Sequence, residues 1–306
     1  MTDSTDADGP DGDPIFESTV RSEVCRLARP GTRWLSTGHD GGESRADAAY
    51  LVSVPDGWDD VDVSDYVRRR RREAGFDGLD GSTEPPPDVP VDAAPALLTG
   101  VSMRHAHRAR LGPAEAVVTA GLNNPAALPI PDAARASSSD GIRNSATDGE
   151  GTGEYRGEGA AGDTDRPRPG TVNVVVGTTR SMAPGALANL VAVAAEAKAA
   201  TLLARTGFPG TTSDAVLVGS DPAGEQAGFS GSATAVGAAT RACVRDALLA
   251  ALDSRYVEES PPSSVEAAAY GVVTDERARV ERVADGEVES AVGETAGTVG
   301  DADETT

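Results

Sequence analysis

Apolar residues gather into short runs broken by Gly, Pro and acidic clusters, and the runs fall into two groups along the chain. In the first group, Arg33–Ser36, Ala49–Val54, Ala96–Met103 and Ala116–Ala120 have the length and β-branched or aromatic content of strands. A short helix is predicted from Ser64, as N-cap, through the arginine run Arg68–Arg72 to Glu73, with Gly75 as its stop. In the second group the run Val172–Gly177 predicts a strand, followed by a helix from Pro184 to Arg205. Pro184 suits a first helical turn, and Gly207 with Pro209 suits the end. A strand over Asp214–Ser220, a helix from Ser232 to Arg255 and a last strand over Ala269–Thr274 complete the order.

Strand, helix, strand in that order predicts a βαβ-like C-terminal half, and the strand-rich first half adds a mixed sheet. The expected class is α/β (mixed α+β), a single mixed-sheet domain with flanking helices. Three segments read as disordered: an acidic tail at 1–14, a Ser/Gly/Asp/Arg-rich insertion at 132–169, and an acidic tail at 284–306. Without them roughly 230 residues remain, ample for one core. The expected domain is therefore 15–283, interrupted by the insertion as a surface loop, which costs little chain entropy.

The Pro184–Arg205 helix is apolar nearly all round, yet it holds Glu196 and Lys198, and Lys198 is the only lysine in 306 residues. Every other basic side chain is arginine or one of three histidines. A charge among apolar neighbours is costly unless paired or used, so Lys198 marks a candidate site. Leu187, Leu190, Val191, Ala194, Lys198 and Leu202 share one helical stripe; Val193, Glu196, Ala200 and Leu203 share another. Lys198 and Glu196 are two apart and point to different faces.

The net charge of −22 argues against nucleic acid and anionic membrane partners. With 4% aromatics and arginine in place of lysine, it matches the surface chemistry of extreme halophiles, where salt screens carboxylate repulsion. The chain is expected to loosen in low salt. Circular dichroism should change on dilution from molar to millimolar salt, and an unchanged spectrum would refute this. Cys25 and Cys243 stand alone, as buried thiols of a reducing cytosol. The first residues carry no basic-then-apolar leader pattern, and no apolar run approaches the length needed to span a bilayer. A soluble cytoplasmic protein is expected.

Other chemistry-bearing fragments are individually weak. Gly210-Thr211-Thr212-Ser213-Asp214 offers hydroxyls and a carboxylate at a strand start, but also reads as a turn with an Asx-type cap. Gly228–Thr234 before the last helix suits an oxyanion cradle or plain capping by Ser232. His105 and His107 suit a metal pair only as a minority reading, with no HxxxH or Cys partner, so no metal site is assigned. Arg68–Arg72 reads as a solvated helix face, and Asn123-Asn124 as a turn before Pro125. Neither a GxSxG serine-hydrolase elbow nor a P-loop is present.

Taken in order, five elements resemble the adenosylcobinamide amidohydrolase family of corrinoid salvage. They are Thr119-Ala120-Gly121 with Asn124, Gly170-Thr171-Val172-Asn173, Glu196-Ala197-Lys198, Gly210-Thr211-Thr212-Ser213-Asp214-Ala215, and Phe229-Ser230-Gly231 with Thr234 and Gly237. The resemblance covers most of 30–131 and 170–256. It departs at Ala195, where a Thr is usual, at Phe208-Pro209, and in the 132–169 insertion. It implies hydrolysis of the aminopropanol amide of adenosylcobinamide to adenosylcobyric acid and 1-amino-2-propanol. In that reading Asp214 or Glu196 is the base, and Lys198 stabilises the oxyanion or protonates the leaving amine. Either Thr212 or Ser213 is a covalent nucleophile or water attacks directly, and both fit equally well. Asn173, Asn124, Gly231 and Thr234 bind substrate. No protein cofactor is implied; cobalt enters with the small-molecule corrinoid. A homo-oligomer is compatible with the sequence. Two alternatives stay open: a non-catalytic corrinoid-binding protein, and an amidase for another small substrate.

Overall fold

A computed structural model describes residues 13–55, 58, 62–76, 94–130 and 170–282. The expected tail at 284–306, the insertion at 132–169 and nearly all of the tail at 1–14 lie outside the described residues. One compact unit runs to Thr274; the described part of the second, 275–282, is exposed and without regular structure, with an ion pair between Arg279 and Glu281.

In chain order the elements are strands β1 (Glu17–Arg21), β2 (Val24–Ser36) and β3 (Gly42–Ser53), and helix α1 (Val63–Glu73). Strands β4 (Ala96–Thr99), β5 (His107–Leu111), β6 (Ala114–Ala120), β7 (Pro125–Ala127) and β8 (Val172–Met182) follow. Then come helix α2 (Pro184–Thr206), strands β9 (Gly210–Thr211) and β10 (Ala215–Ala227), helix α3 (Ala235–Arg255) and strand β11 (Val272–Val273). The main sheet runs β4-β3-β2-β10-β8-β6-β5, with β1 on β2; β11, β7 and β9 form a small second sheet. β8 and β10 are parallel neighbours joined by α2, which is the expected βαβ unit. Most other pairings are antiparallel. The sheet is mixed, as expected.

The all-apolar look of β8 follows from its central place, covered on both faces. Val174 and Val176 join the core beneath α2 and α3, while Val175 joins a second core with Phe16, Trp34, Leu51 and Leu217. A third cluster packs Tyr66 of α1 and the following Phe76 on Tyr50 and Val52 of β3. Arg71, expected on a solvated face, is buried there with its guanidinium 4.4 Å from the Tyr50 ring centre; the rest of the arginine run is more exposed.

α2 is also the exception to the expectation about bilayer-length apolar runs. By length and composition it could cross a membrane, but half of its most apolar stretch is buried inside the fold. Leu187, Leu190, Ala194 and Leu202 face the core, whereas Ala188, Ala192 and Ala200 face outward. The all-round apolarity thus comes from alanine, the best helix former, on the outer face. The caps differ slightly from expectation. Asp62 rather than Ser64 caps α1 through the Asp65 N–H, and Thr234 rather than Ser232 caps α3 through the Gly237 N–H. Gly207, with φ of 83°, ends α2 as expected. Both cysteines are buried and free, and burial pushes the Cys25 thiol up to about 11 and the Cys243 thiol to about 12.

Candidate functional site

Parallel pairing brings the beginnings of β8 and β10 side by side, with Asn173 opposite Ala215. The antiparallel β6 ends at the same edge, Thr119 opposite Asn173 and Ala120 opposite Val172. Three separate fragments, 119–124, 170–173 and 210–215, therefore meet at one end of the sheet.

Asp214 is the knot of that meeting. Its Oδ1 accepts the Val172 N–H at 3.0 Å and the Thr211 hydroxyl; its Oδ2 accepts the Thr211 N–H at 3.0 Å and pairs with Lys198 Nζ. Both charged side chains are about nine-tenths buried, 11% and 10% exposed. Four donors saturate the four lone-pair directions of the carboxylate. Gly210 closes over the pair, and a Cβ there would lie 2.6 Å from Asp214 Oδ2 and 3.2 Å from Lys198 Nζ. A glycine is required at 210 by this close approach.

On the other side of the turn, the Asn124 amide donates to the Thr212 hydroxyl, and the Thr212 N–H returns a bond to the Asn124 carbonyl at 3.2 Å. The Ser213 hydroxyl donates to the Gly170 carbonyl at 3.1 Å and lies 2.8 Å from the Thr171 hydroxyl. Gly170 allows Asn124 to close down on it; a Cβ would meet Asn124 Oδ1 and the Asn123 nitrogen at 2.4 Å. Asn173 is fully buried, and its Nδ2 donates to the Leu98 carbonyl at 2.7 Å. That carbonyl can only accept, so the amide orientation is fixed and Oδ1 points elsewhere. Among the described residues, neither Asn173 Oδ1 nor Asn124 Oδ1 has a hydrogen-bond partner.

A cleft of about 260 Å³ opens in front of this turn, lined by Thr171, Asn173, Ser213 and Ala215 together with Gly38, His39, Trp58 and Leu97. A second hollow of about 460 Å³ adjoins it, sharing His39, Val63 and Leu98 and reaching Arg68 and Arg71. Together they reach the size range of small-molecule sites, typically ~300–1,000 Å³. Lys198 and Asp214 line neither hollow; they sit behind the turn.

The expected residues thus separate. Asn124, Asn173, Lys198, Thr212, Ser213 and Asp214 come together. Glu196 does not: it stands on the outer face of α2, 59% exposed, in an ion pair with Arg241 of α3. Its neighbour in sequence is buried because two residues turn a helix by about 200°. Gly231 and Thr234 lie at the opposite end of α2, where the adjacent Ser230 bonds Asn189 and the Ala186 carbonyl. Asn189 and Lys198 are nine residues apart, about 13 Å along the axis. Thr234 spends its hydroxyl on capping α3 and on the Gly231 carbonyl.

His105 and His107 do not form a pair on one strand face. His105 meets Ser254 and Arg104, and His107 turns to the His105 carbonyl. No group of three or more His, Cys, Asp or Glu side chains placed to share a metal occurs among the described residues. Sequence reasoning missed His39 and Trp58 as cleft residues. The only available signal for His39 was that the chain holds just three histidines.

A family model described as adenosylcobinamide amidohydrolase matches residues 10–260. A protein of Halobacterium salinarum named adenosylcobinamide amidohydrolase is 51% identical over 269 residues, covering 88% of this chain and 100% of its own. No solved structure matches the chain.

Proposed function

The chain belongs to the adenosylcobinamide amidohydrolase family, and from that membership and the cleft we propose that it hydrolyses the aminopropanol amide of adenosylcobinamide in corrinoid salvage. The products are adenosylcobyric acid and 1-amino-2-propanol. The observation that carries the site assignment is the convergence of Thr171, Asn173 and Ser213 on one cleft, with Asn124 bonded to the adjacent Thr212 and a buried carbonyl oxygen left unpaired at Asn173. An unsatisfied buried acceptor is costly, and the N–H of the scissile amide is the donor it lacks.

Each side chain takes a role from its place. Asn173 Oδ1 accepts the amide N–H and orients the bond. Ser213 turns its hydroxyl from the Gly170 carbonyl to the amide oxygen as negative charge builds there, since a hydroxyl rotates freely to a better acceptor. Among the described residues the Ser213 hydroxyl meets the Gly170 carbonyl, the Thr171 hydroxyl and the Asn124 amide, and the Thr212 hydroxyl meets the Asn124 amide, none of them a base, which favours water over either as nucleophile. Lys198 and Asp214 are positioning residues that hold the 210–214 turn and the start of β8 in register. Cobalt belongs to the substrate, and the adjoining hollow with Arg68 and Arg71 takes part of the macrocycle's periphery. The chain works in the cytoplasm at high salt, in keeping with its net charge of −22 and its Halobacterium relative, and without nucleic acid or membrane partners.

The test is release of 1-amino-2-propanol from adenosylcobinamide, followed by mass spectrometry. Wild-type protein should yield it in equal amount with adenosylcobyric acid; binding without release would leave only a corrinoid-binding protein. Glu196→Gln should keep turnover within about twofold, because exposed ion pairs contribute ~0.2–1 kcal/mol and this one stands outside the cleft. A large loss in Glu196→Gln would return that residue to the chemistry.

A further inference from the structure

Amide hydrolysis needs a group that takes a proton from the attacking water and returns one to the leaving amine. With Lys198 and Asp214 behind the turn and Glu196 on the outer face, the cleft requires another candidate. Among the described residues that line it, His39 is the only one with an acidic or basic side chain.

Its position is set by the sheet. The last residues of β2 pair with β10, Ser36 opposite Leu217. Beyond them Thr37 grips Val216 twice, its N–H donating to the Val216 carbonyl at 2.9 Å and its hydroxyl accepting the Val216 N–H at 2.9 Å. The chain then turns through Gly38, where a Cβ would strike Leu97 at 2.6 Å, and delivers His39 to the same cleft that Ser213 and Asn173 line. The imidazole is about half exposed, so it is held by its neighbours and not by burial. Asp40 Oδ2 lies 3.2 Å from Nε2 and Ser64 Oγ 3.4 Å from it, while Ser64 donates to the same Asp40 oxygen. A carboxylate beside Nε2 favours the tautomer with its proton there, leaving the lone pair on Nδ1.

We propose that His39, oriented by Asp40 and Ser64, is the general base and acid of the reaction; this rests on the hydrolase reading above. Neutral His39 takes a proton from water as the water oxygen bonds to the amide carbon. The imidazolium then gives that proton to the amide nitrogen as the C–N bond breaks. The corrinoid leaves as a carboxylic acid and aminopropanol as the amine, with His39 neutral again. Asp40 is a positioning residue.

His39→Ala should lower kcat by about 10²- to 10⁴-fold with KM changed little, and added imidazole should restore part of the loss. Asp40→Asn should give a smaller fall in kcat. The thermal midpoint of His39→Ala should stay at the wild-type value. Turnover within threefold of wild type, a rise in KM with kcat kept, or a loss that imidazole does not restore would each overturn the assignment. If wild-type protein itself releases no aminopropanol, the hydrolase reading fails first, and the His39 variants are then not the cause.

Discussion

Asp214→Ala is expected to lower the stability of the folded chain by about 3–5 kcal/mol, because it strips a buried ammonium of its counter-charge. For a domain of this size that is a fall of about 6–20 °C in the thermal midpoint, measured in molar salt. The cost goes beyond the ion pair. Val172 N–H and both donors of Thr211 lose their acceptor at once, so the turn and the start of β8 come apart together. Lys198→Met should cost less, since three donors still satisfy the carboxylate and the methionine stem fills the same space. Activity in Lys198→Met should persist well below its midpoint. A Lys198→Met protein with unchanged midpoint and no turnover would contradict the positioning role and return Lys198 to the chemistry.

The second large effect falls on catalysis. Asn173→Leu should reduce kcat/KM by about 10- to 100-fold, the loss expected when a buried substrate N–H finds no acceptor. The side chain is fully buried where it lines the cleft, and among the described residues its only hydrogen bond is the one to the Leu98 carbonyl. Leucine fills similar volume, so the midpoint should drop far less than in Asp214→Ala. Comparing the two variants separates substrate contact from scaffold: Asn173→Leu loses rate at kept stability, whereas Asp214→Ala loses stability first and rate with it as the turn comes apart. Equal rate loss with equal destabilisation in both would mean that Asn173 too is only structural.

The part of the fold that was legible is the part where sequence and burial share a cause. Val172–Gly177 reads as a strand because both its faces are covered, and Pro184 and Gly207 mark helix ends by fixed backbone geometry. The β1–β2 hairpin was missed because its turn is Ser22-Glu23, both at positive φ, 47° and 61°, without the usual Asn or Gly. The first half of β2 was hidden by Pro30-Gly31, which reads as a break but forms an irregularity within a continuing strand. β5, β7 and β9 are short, and β5 carries His107, Arg108 and Arg110, which look like loop.

The site was legible to the same degree. Five motifs in order named the family, and the sheet brings the fragments at 119–124, 170–173 and 210–215 together. The resemblance gave Glu196 a role that its spacing from Lys198 already spoke against, since the helix turns it to Arg241, and it grouped Gly231 and Thr234 with residues from which α2 separates them. His39 left almost no trace, since Thr37-Gly38-His39-Asp40-Gly41-Gly42 reads as an ordinary turn. Only the β2–β10 pairing brings it to the cleft.

A crystal structure with adenosylcobyric acid bound tests the site most directly. The freed carboxylate should rest between Asn173, Ser213 and His39, with Lys198 and Asp214 still paired behind the turn. A carboxylate found instead at the Gly231–Thr234 end of α2, or held by Lys198, would contradict the account.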